Sequence, residues 1–199
     1  MNKKLTYLLG TIFLLVGIYL SVFQTEPHFY TFFSVGLFLI FLQIYNSLSE
    51  KKLFHKWGEE KYVVFIILIL GFSVLADRIG LFLGFWEYQY ISQFDEIIKY
   101  IFEWGFALLY ITLSFMIGTK LFEKIVNKKI AWIFSILTAV ILIGIFTEFI
   151  NIFPYSWRIL AMPFTNVQVW EFFVIHQTIG YMIMAIIPFA IYKFVERLK

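Results

Sequence analysis

Six apolar stretches, each long enough to cross a lipid bilayer, follow one another along the chain with only short polar breaks between them. They run roughly Leu5–Phe23, Phe29–Leu48, Tyr62–Gly84, Ile97–Leu121, Ile130–Phe153 and Val167–Phe194. A bilayer core is about 30 Å thick and an α-helix rises about 1.5 Å per residue, so about 20 consecutive apolar residues make one span. Transmembrane barrel strands would instead alternate apolar and polar residues over about ten positions, and these runs do not alternate. In 199 residues, six spans leave room only for connections and tails. The sequence therefore predicts an all-α fold, a polytopic membrane helix bundle of about six transmembrane helices. Residues 1–199 form a single integral membrane domain whose partner is the lipid bilayer. With 61% hydrophobic and 15% charged residues, the composition excludes a water-soluble globule, which carries about 25% charge. The first run follows Lys3 and Lys4 as a signal peptide would. Its apolar run is long, however, and its exit, Gln24-Thr25-Glu26-Pro27, lacks a small-x-small cleavage pattern, so a retained helix is expected.

There is no cysteine, which excludes disulfides, thiol catalysis and cysteine-based metal sites. The three histidines, His28, His55 and His176, are scattered along the chain, so neither a metal nor a cofactor is expected. The net charge of +3 does not point to nucleic acid, because the basic residues sit in short clusters beside the spans. Lys3 and Lys4 precede the first span. Lys51, Lys52, Lys56 and Lys61 separate the second from the third. Lys120, Lys124, Lys128 and Lys129 separate the fourth from the fifth, and Lys193, Arg197 and Lys199 close the chain. Thirteen of the 16 basic residues thus fall on one side, leaving Lys99 and Arg158 on the other and Arg78 within a span. The positive-inside rule then places both termini in the cytoplasm, with the plasma membrane as the expected location. No pattern fixes an oligomeric state.

An ionisable side chain inside a span costs at least about 2.5 kcal/mol on insertion scales, so each one requires a reason. Asp77 and Arg78 lie in the third span, Glu103 in the fourth, Glu148 in the fifth, and Glu171 with His176 in the sixth. At 1.5 Å per residue, all four acids fall within roughly 5–12 Å of the outer ends of their helices. Small and polar stripes at helical spacing accompany them: Tyr100, Ala107, Tyr110 and Ser114 around Glu103; Gly144 and Asn151 with Glu148; Gly80 and Gly84 with Asp77. Such stripes mark helix contacts or a cavity, so the four carboxylates are expected to face one another across the bundle. The structural alternative is that they only glue helices together, with Asp77 or Glu148 paired to Arg78 or Arg158 and His176 serving as an interhelical hydrogen-bond partner. Pro188 predicts a kink in the last helix.

Two halves look alike. Asp77-x8-Trp86 matches Glu148-x8-Trp157 in spacing, Ile79 and Phe82 fall in register with Ile150 and Phe153, and each Trp is followed by an acid opening the next helix, Glu103 after 17 residues and Glu171 after 14. Both pairs enter the membrane in the same direction. The expected units of a parallel internal repeat are residues 62–121 and 130–194.

With its Trp86-Glu87-Tyr88 exit and following acid, the stretch from Asp77 to Tyr88 resembles the lycopene cyclase domain, a family of small all-helical, tandem-repeated carotenoid cyclases. Trp170-Glu171-Phe172-Phe173 resembles the second copy of that pattern, and the likeness covers about half the chain. The Pro-x-Glu-Glu motif of the family is reduced here: its proline positions are Tyr100 and Gln168, its first acid positions Phe102 and Trp170, leaving Glu103 and Glu171. Gly84-Phe85-Trp86-Glu87-Tyr88 also echoes a run in a related family of membrane carotenoid hydratases. The resemblance implies an isomerase of carotenoid biosynthesis that cyclises a hydrophobic isoprenoid substrate in the outer half of the bilayer. Such chemistry needs an acid to protonate a double bond and aromatic faces to stabilise the carbocation. A carboxyl in a low-dielectric pocket keeps its proton because ionisation is disfavoured there. Glu103 and Glu171 are then the proton donors, Asp77 and Glu148 their counter-charge partners, and Trp86, Tyr88, Trp104, Trp157, Trp170 and His176 the lining. Most of the aromatics also suit an interfacial belt. Two other readings stay open: a small transporter or a lipid- or quinone-binding membrane protein without catalysis, and a membrane scaffold.

Overall fold

The computed structural model describes residues 3–49, 52–54, 57–88, 92–162 and 165–198, with the backbone alone for Gln93, Ile141, Leu142 and Phe172. Lys51, Lys56 and Lys199 of the basic clusters, and His55, lie outside the described residues. Helix α1 spans Lys3–Gln24, α2 Phe29–Leu48 and α3 Glu59–Phe82. Three further helices are each interrupted by a π-helical stretch. Gln93–Ile98, Lys99–Trp104 (π) and Gly105–Phe122 follow without a break and form α4. Lys128–Thr138, Ala139–Gly144 (π) and Ile145–Asn151 form α5. Val169–Ile175, His176–Gly180 (π) and Tyr181–Arg197 form α6, which contains Pro188. Between them lie two short strands, β1 (Trp86–Tyr88) and β2 (Trp157–Ile159).

Among the described residues, five helical stretches are long and apolar enough to cross a membrane: Lys3–Gln24, Phe29–Leu48, Glu59–Phe82, Phe94–Phe122 and Val169–Arg197. The all-α class expected from the sequence is what forms, consistent with an integral membrane protein. α5, the remaining helix, is continuous over 24 residues but is not among those five.

The surface is inverted relative to a water-soluble fold. Phe82, Ile125, Trp170 and Phe23 are among many exposed large apolar side chains, while Asp77, Lys99, Glu103 and Glu148 are buried. That is the distribution hydrocarbon surroundings select, where exposed apolar groups cost nothing and polar groups must find partners inside. α4 is the central helix, packed against α2, α3, α5 and α6, and it buries Leu108, Ile111, Leu113 and Phe115. Between helices in lipid the hydrophobic drive is absent, so close backbone approach carries more of the packing. α1 and α2 show this most clearly: a Cβ on Gly17 would come within 2.6 Å of the Phe33 nitrogen, and one on Gly36 within 2.5 Å of the Leu14 nitrogen.

One end of the bundle collects the ends of α1, α3 and α5 and the starts of α2, α4 and α6. Ser21 Oγ donates to the Ile150 carbonyl (2.6 Å), and Ser156 Oγ to the Pro27 carbonyl (2.6 Å), tying the α1–α2 connection to the end of α5. Gly84, with φ 68°, ends α3 in a conformation that suits glycine. The Phe85 N–H reaches back to the Gly80 carbonyl (2.9 Å), and the chain turns directly into β1. β1 pairs antiparallel with β2, Trp86 opposite Ile159, Glu87 opposite Arg158 and Tyr88 opposite Trp157. This ribbon roofs the end of the bundle and joins the α3–α4 connection to the α5–α6 connection.

Candidate functional site

Beneath the ribbon lies a partly open cavity of about 60 Å³ for the centres of water-sized molecules. A single buried water needs about 10–15 Å³ measured this way, so the space takes a few waters or one end of a slender hydrocarbon. Its lining is Tyr30, Trp86, Tyr88, Glu103, Trp104, Ala107, Ile111, Glu148, Trp157, Ile159, His176, Tyr181 and Met184. Two carboxyl groups, one imidazole and a ring of aromatic faces therefore share one chamber.

Each carboxyl group is placed by a different device. Asp77 is fully buried on the last turns of α3 and accepts hydrogen bonds from Trp86 Nε1 (3.1 Å), Tyr88 Oη (2.7 Å) and Tyr100 Oη (2.8 Å). Its partner charge is Lys99, 3.0 Å away and only 3% exposed, with its ammonium over the Tyr88 and Tyr100 rings at 4.1 and 4.7 Å. Gly80 makes this possible, because a Cβ there would overlap the Trp86 indole. Asp77 itself does not line the cavity. It anchors Tyr88, which in turn accepts from Trp104 Nε1 (2.9 Å), so one buried charge pair fixes three of the lining aromatics.

Glu148, on α5, accepts from Trp157 Nε1 (3.2 and 3.3 Å) and Tyr181 Oη (3.3 Å). The spacing read in the sequence thus produces the same bond twice, a carboxylate at one position held by the indole N–H nine residues on. The two sites differ in charge: Asp77 faces a lysine, whereas these bonds to Glu148 come from neutral donors. Tyr110 Oη, which hydrogen-bonds Tyr30 Oη and Thr147 Oγ1 (3.0 Å), ties α2, α4 and α5 together beside it.

Glu103 sits within the π stretch of α4 and is about 3% exposed. It meets Thr31 Oγ1 (3.3 Å) and His28 Nδ1 (3.4 Å), while His28 Nε2 lies 3.1 Å from Asp95 Oδ1. The hydrogen bond that His28 donates to Glu103, with the nearby negative charge of Asp95, holds the His28 imidazole above its ordinary pKa. The wide turn is direct: the Gly105 N–H reaches the Tyr100 carbonyl, five residues back. In α6 the Tyr181 N–H reaches the His176 carbonyl in the same way. π turns of this kind recur at functional sites because they re-aim side chains. Here they direct Glu103 and His176 into the chamber, where His176 meets Trp86 and Tyr181 edge-on.

Not every residue singled out in the sequence is brought together. Glu103, Glu148, Trp86, Tyr88, Trp104, Trp157 and His176 line the cavity, and Asp77 stands behind it. Glu171 and Trp170 do not: both are exposed on the first turn of α6, where Glu171 Oε2 accepts the Gln168 N–H (3.1 Å) and Trp170 stacks on Phe173. The Phe172 side chain lies outside the described ones. The expectation that four carboxylates face one another is corrected to two, because α6 spends its acid on its own N-terminus. The ion pairs of the structural alternative do not form either. Arg78 pairs with the exposed Glu96 (2.8 Å) and Arg158 with Glu87 across the ribbon (3.8 Å), neither with Asp77 or Glu148.

His28, Lys99, Tyr30 and Tyr181 were missed. Lys99 reads as an outer-loop charge and His28 as a lone loop histidine until the helix ends are assembled. No protein-family model matches the chain, and neither does any curated protein or any solved structure. The residues themselves define the class: an all-helical chain, apolar outside, that encloses buried carboxyl groups and aromatic faces at one end.

Proposed function

We propose that this chain is a six-span membrane enzyme that isomerises or cyclises one end of a polyene isoprenoid by acid catalysis in the aromatic chamber. The observation that carries the reading is Glu103 and Glu148 lining one apolar, indole-walled, partly open cavity. Glu103 is the proton donor. Protonation of a terminal double bond leaves a carbocation, and the faces of Trp86, Trp104 and Trp157 stabilise it without offering a lone pair that would trap it. Glu148 accepts the proton released when the new double bond forms and gives it up to water before the next turnover, so the substrate gains and loses one proton with no net oxidation or reduction. Asp77 holds the aromatic wall in place through Tyr88. The likeness of the Asp77–Tyr88 stretch to the lycopene cyclase domain supports this choice of substrate class.

The basic clusters support an orientation with the termini in the cytoplasm and the chamber in the outer half of the plasma membrane. The matched Asp77–Trp86 and Glu148–Trp157 hydrogen bonds support an internal duplication.

Co-expression with a lycopene-forming pathway, followed by pigment chromatography, tests the reading. Cyclised or isomerised product should form with the wild type and fall by about 10²-fold or more in Glu103→Gln, which keeps shape and hydrogen bonding but has no proton to give. Polyene retained by the purified protein but left unchanged would move the protein to the class of non-catalytic isoprenoid or quinone binders.

A further inference from the structure

A general acid that gives its proton to carbon must be recharged, and Glu103 is about 3% exposed. We propose that Asp95, His28 and Glu103 form a proton relay that re-arms Glu103 from the water at the bundle end, a role that rests on reading Glu103 as the acid.

The geometry is continuous. Glu103 Oε1 lies 3.4 Å from His28 Nδ1, and His28 Nε2 lies 3.1 Å from Asp95 Oδ1. The imidazole is about a quarter exposed, as is the Asp95 carboxylate, so the path runs from solvent-accessible groups to a buried one. Asp95 is held for the task. Its Oδ2 takes Ser92 Oγ (2.6 Å) and the Ser92 N–H (3.2 Å), which leaves Oδ1 for the histidine. His28 precedes α2 directly, and its own backbone N–H is 3.5 Å from Glu26 Oε1. Among the described residues, the acidic groups around it are therefore Glu26 from its own loop and Asp95 and Glu103 from α4, all of which favour the imidazolium.

The transfer is one proton between two groups. The His28 Nδ1–H bond breaks, the Glu103 Oε1–H bond forms, and an imidazolium–carboxylate pair becomes a neutral imidazole and a carboxylic acid. The neutral imidazole, left with its proton on Nε2 beside Asp95, then turns over so that its bare nitrogen faces Asp95 and takes a proton delivered there from hydronium in the external water. Apolar substrate entering the chamber lowers the local dielectric, which disfavours separated charges and drives the proton toward Glu103. Arming is thus tied to occupancy.

The test does not depend on turnover. In protein reconstituted in lipid nanodiscs, with the saturated isoprenoid squalane added as an unreactive apolar occupant of the chamber, the protonated Glu103 carboxyl is followed by infrared spectroscopy after a jump into D2O, its band identified by loss in Glu103→Gln. Exchange should slow by about 10²-fold in His28→Ala and recover with added imidazole. His28→Gln, which keeps hydrogen bonding but passes no proton, should be equally slow, and Asp95→Asn intermediate. A helical spectrum like wild type and a single cooperative melting transition confirm folding in each. Exchange at the wild-type rate in a folded His28→Gln variant overturns the relay, as does the absence of a Glu103 carboxyl band anywhere between about pH 4 and 8. If exchange behaves as expected while no polyene is converted, the relay stands and the cyclase reading fails. If His28→Gln converts polyene at the wild-type rate and with the wild-type pH profile, the relay fails and the reading stands.

Discussion

Breaking the Asp77–Lys99 pair should be the most damaging single change in the bundle, and the two ways of breaking it should differ. Asp77 is fully buried and Lys99 is 3% exposed, at 3.0 Å. Removing one partner of such a pair costs about 3–5 kcal/mol because the other charge stays buried and uncompensated. The remaining groups set where in that range each variant falls. In Lys99→Met the carboxylate keeps three donors, Trp86, Tyr88 and Tyr100, so the cost should lie near 3 kcal/mol. In Asp77→Ala the ammonium keeps, among the described residues, the Tyr88 and Tyr100 ring faces. Cation–π contact contributes about 2 kcal/mol at best when desolvated, and three phenol and indole donors lose their acceptor. The cost should approach 5 kcal/mol. The double variant Asp77→Asn with Lys99→Met removes both charges and should recover most of the loss, to within about 1–2 kcal/mol of wild type. Reversible unfolding in mixed micelles, followed by helical circular dichroism, measures all three. Single variants within about 1 kcal/mol of wild type, or a double variant no more stable than Lys99→Met alone, would refute the assignment of a buried, mutually dependent pair.

Three further outcomes are expected. Trp157→Phe keeps the ring packed on Phe29 and Tyr30 but takes the N–H from Glu148, so unfolding in the same micelles should cost about 1–3 kcal/mol. Gly17→Val forces a side chain against the Phe33 backbone and should separate α1 from α2 at a cost of about 1–3 kcal/mol or more, visible as faster proteolysis of the first connection. His28 carries a folded-state pKa raised by Glu103 and then Asp95. Its contribution to stability is fully present below about pH 6.5 and is lost as pH rises through the raised value. Melting temperature measured across that window should decline in the wild type, and the decline should flatten in His28→Gln.

The spans were legible because hydrophobic length is a local property: the run Phe29–Leu48 appears as the helix with those same limits. The Asp77-x8-Trp86 and Glu148-x8-Trp157 spacings were legible as patterns, and both became hydrogen bonds, since nine residues carry the chain from the last turns of a helix through a turn and back. Partner choice was not legible. Arg78 sits beside Asp77 in sequence, yet its side chain leaves the helix on another face to reach Glu96, while Lys99 comes from a different helix altogether. Glu171 shows a second kind of failure. An acid near the start of a helix has two uses, lining a site or capping its own N-terminus, and depth along the span does not distinguish them. Glu103 escapes that fate because it lies well past the first turn of α4, within the wide stretch.

Those wide stretches have a consequence for how this chain tolerates change. An α-helix advances 100° per residue, so a register slip of one position rotates everything beyond it. In α4, Leu108, Ile111 and Phe115 follow one phase below the π turn, and Lys99 and Glu103 follow another above it. A map of tolerated substitutions along α4, α5 or α6 should therefore not fit a single sinusoid. It should show two phase-shifted waves meeting at residues 99–104, 139–144 and 176–180, and deletion of one residue inside such a stretch should swing the upper segment out of the chamber while leaving the lower one packed.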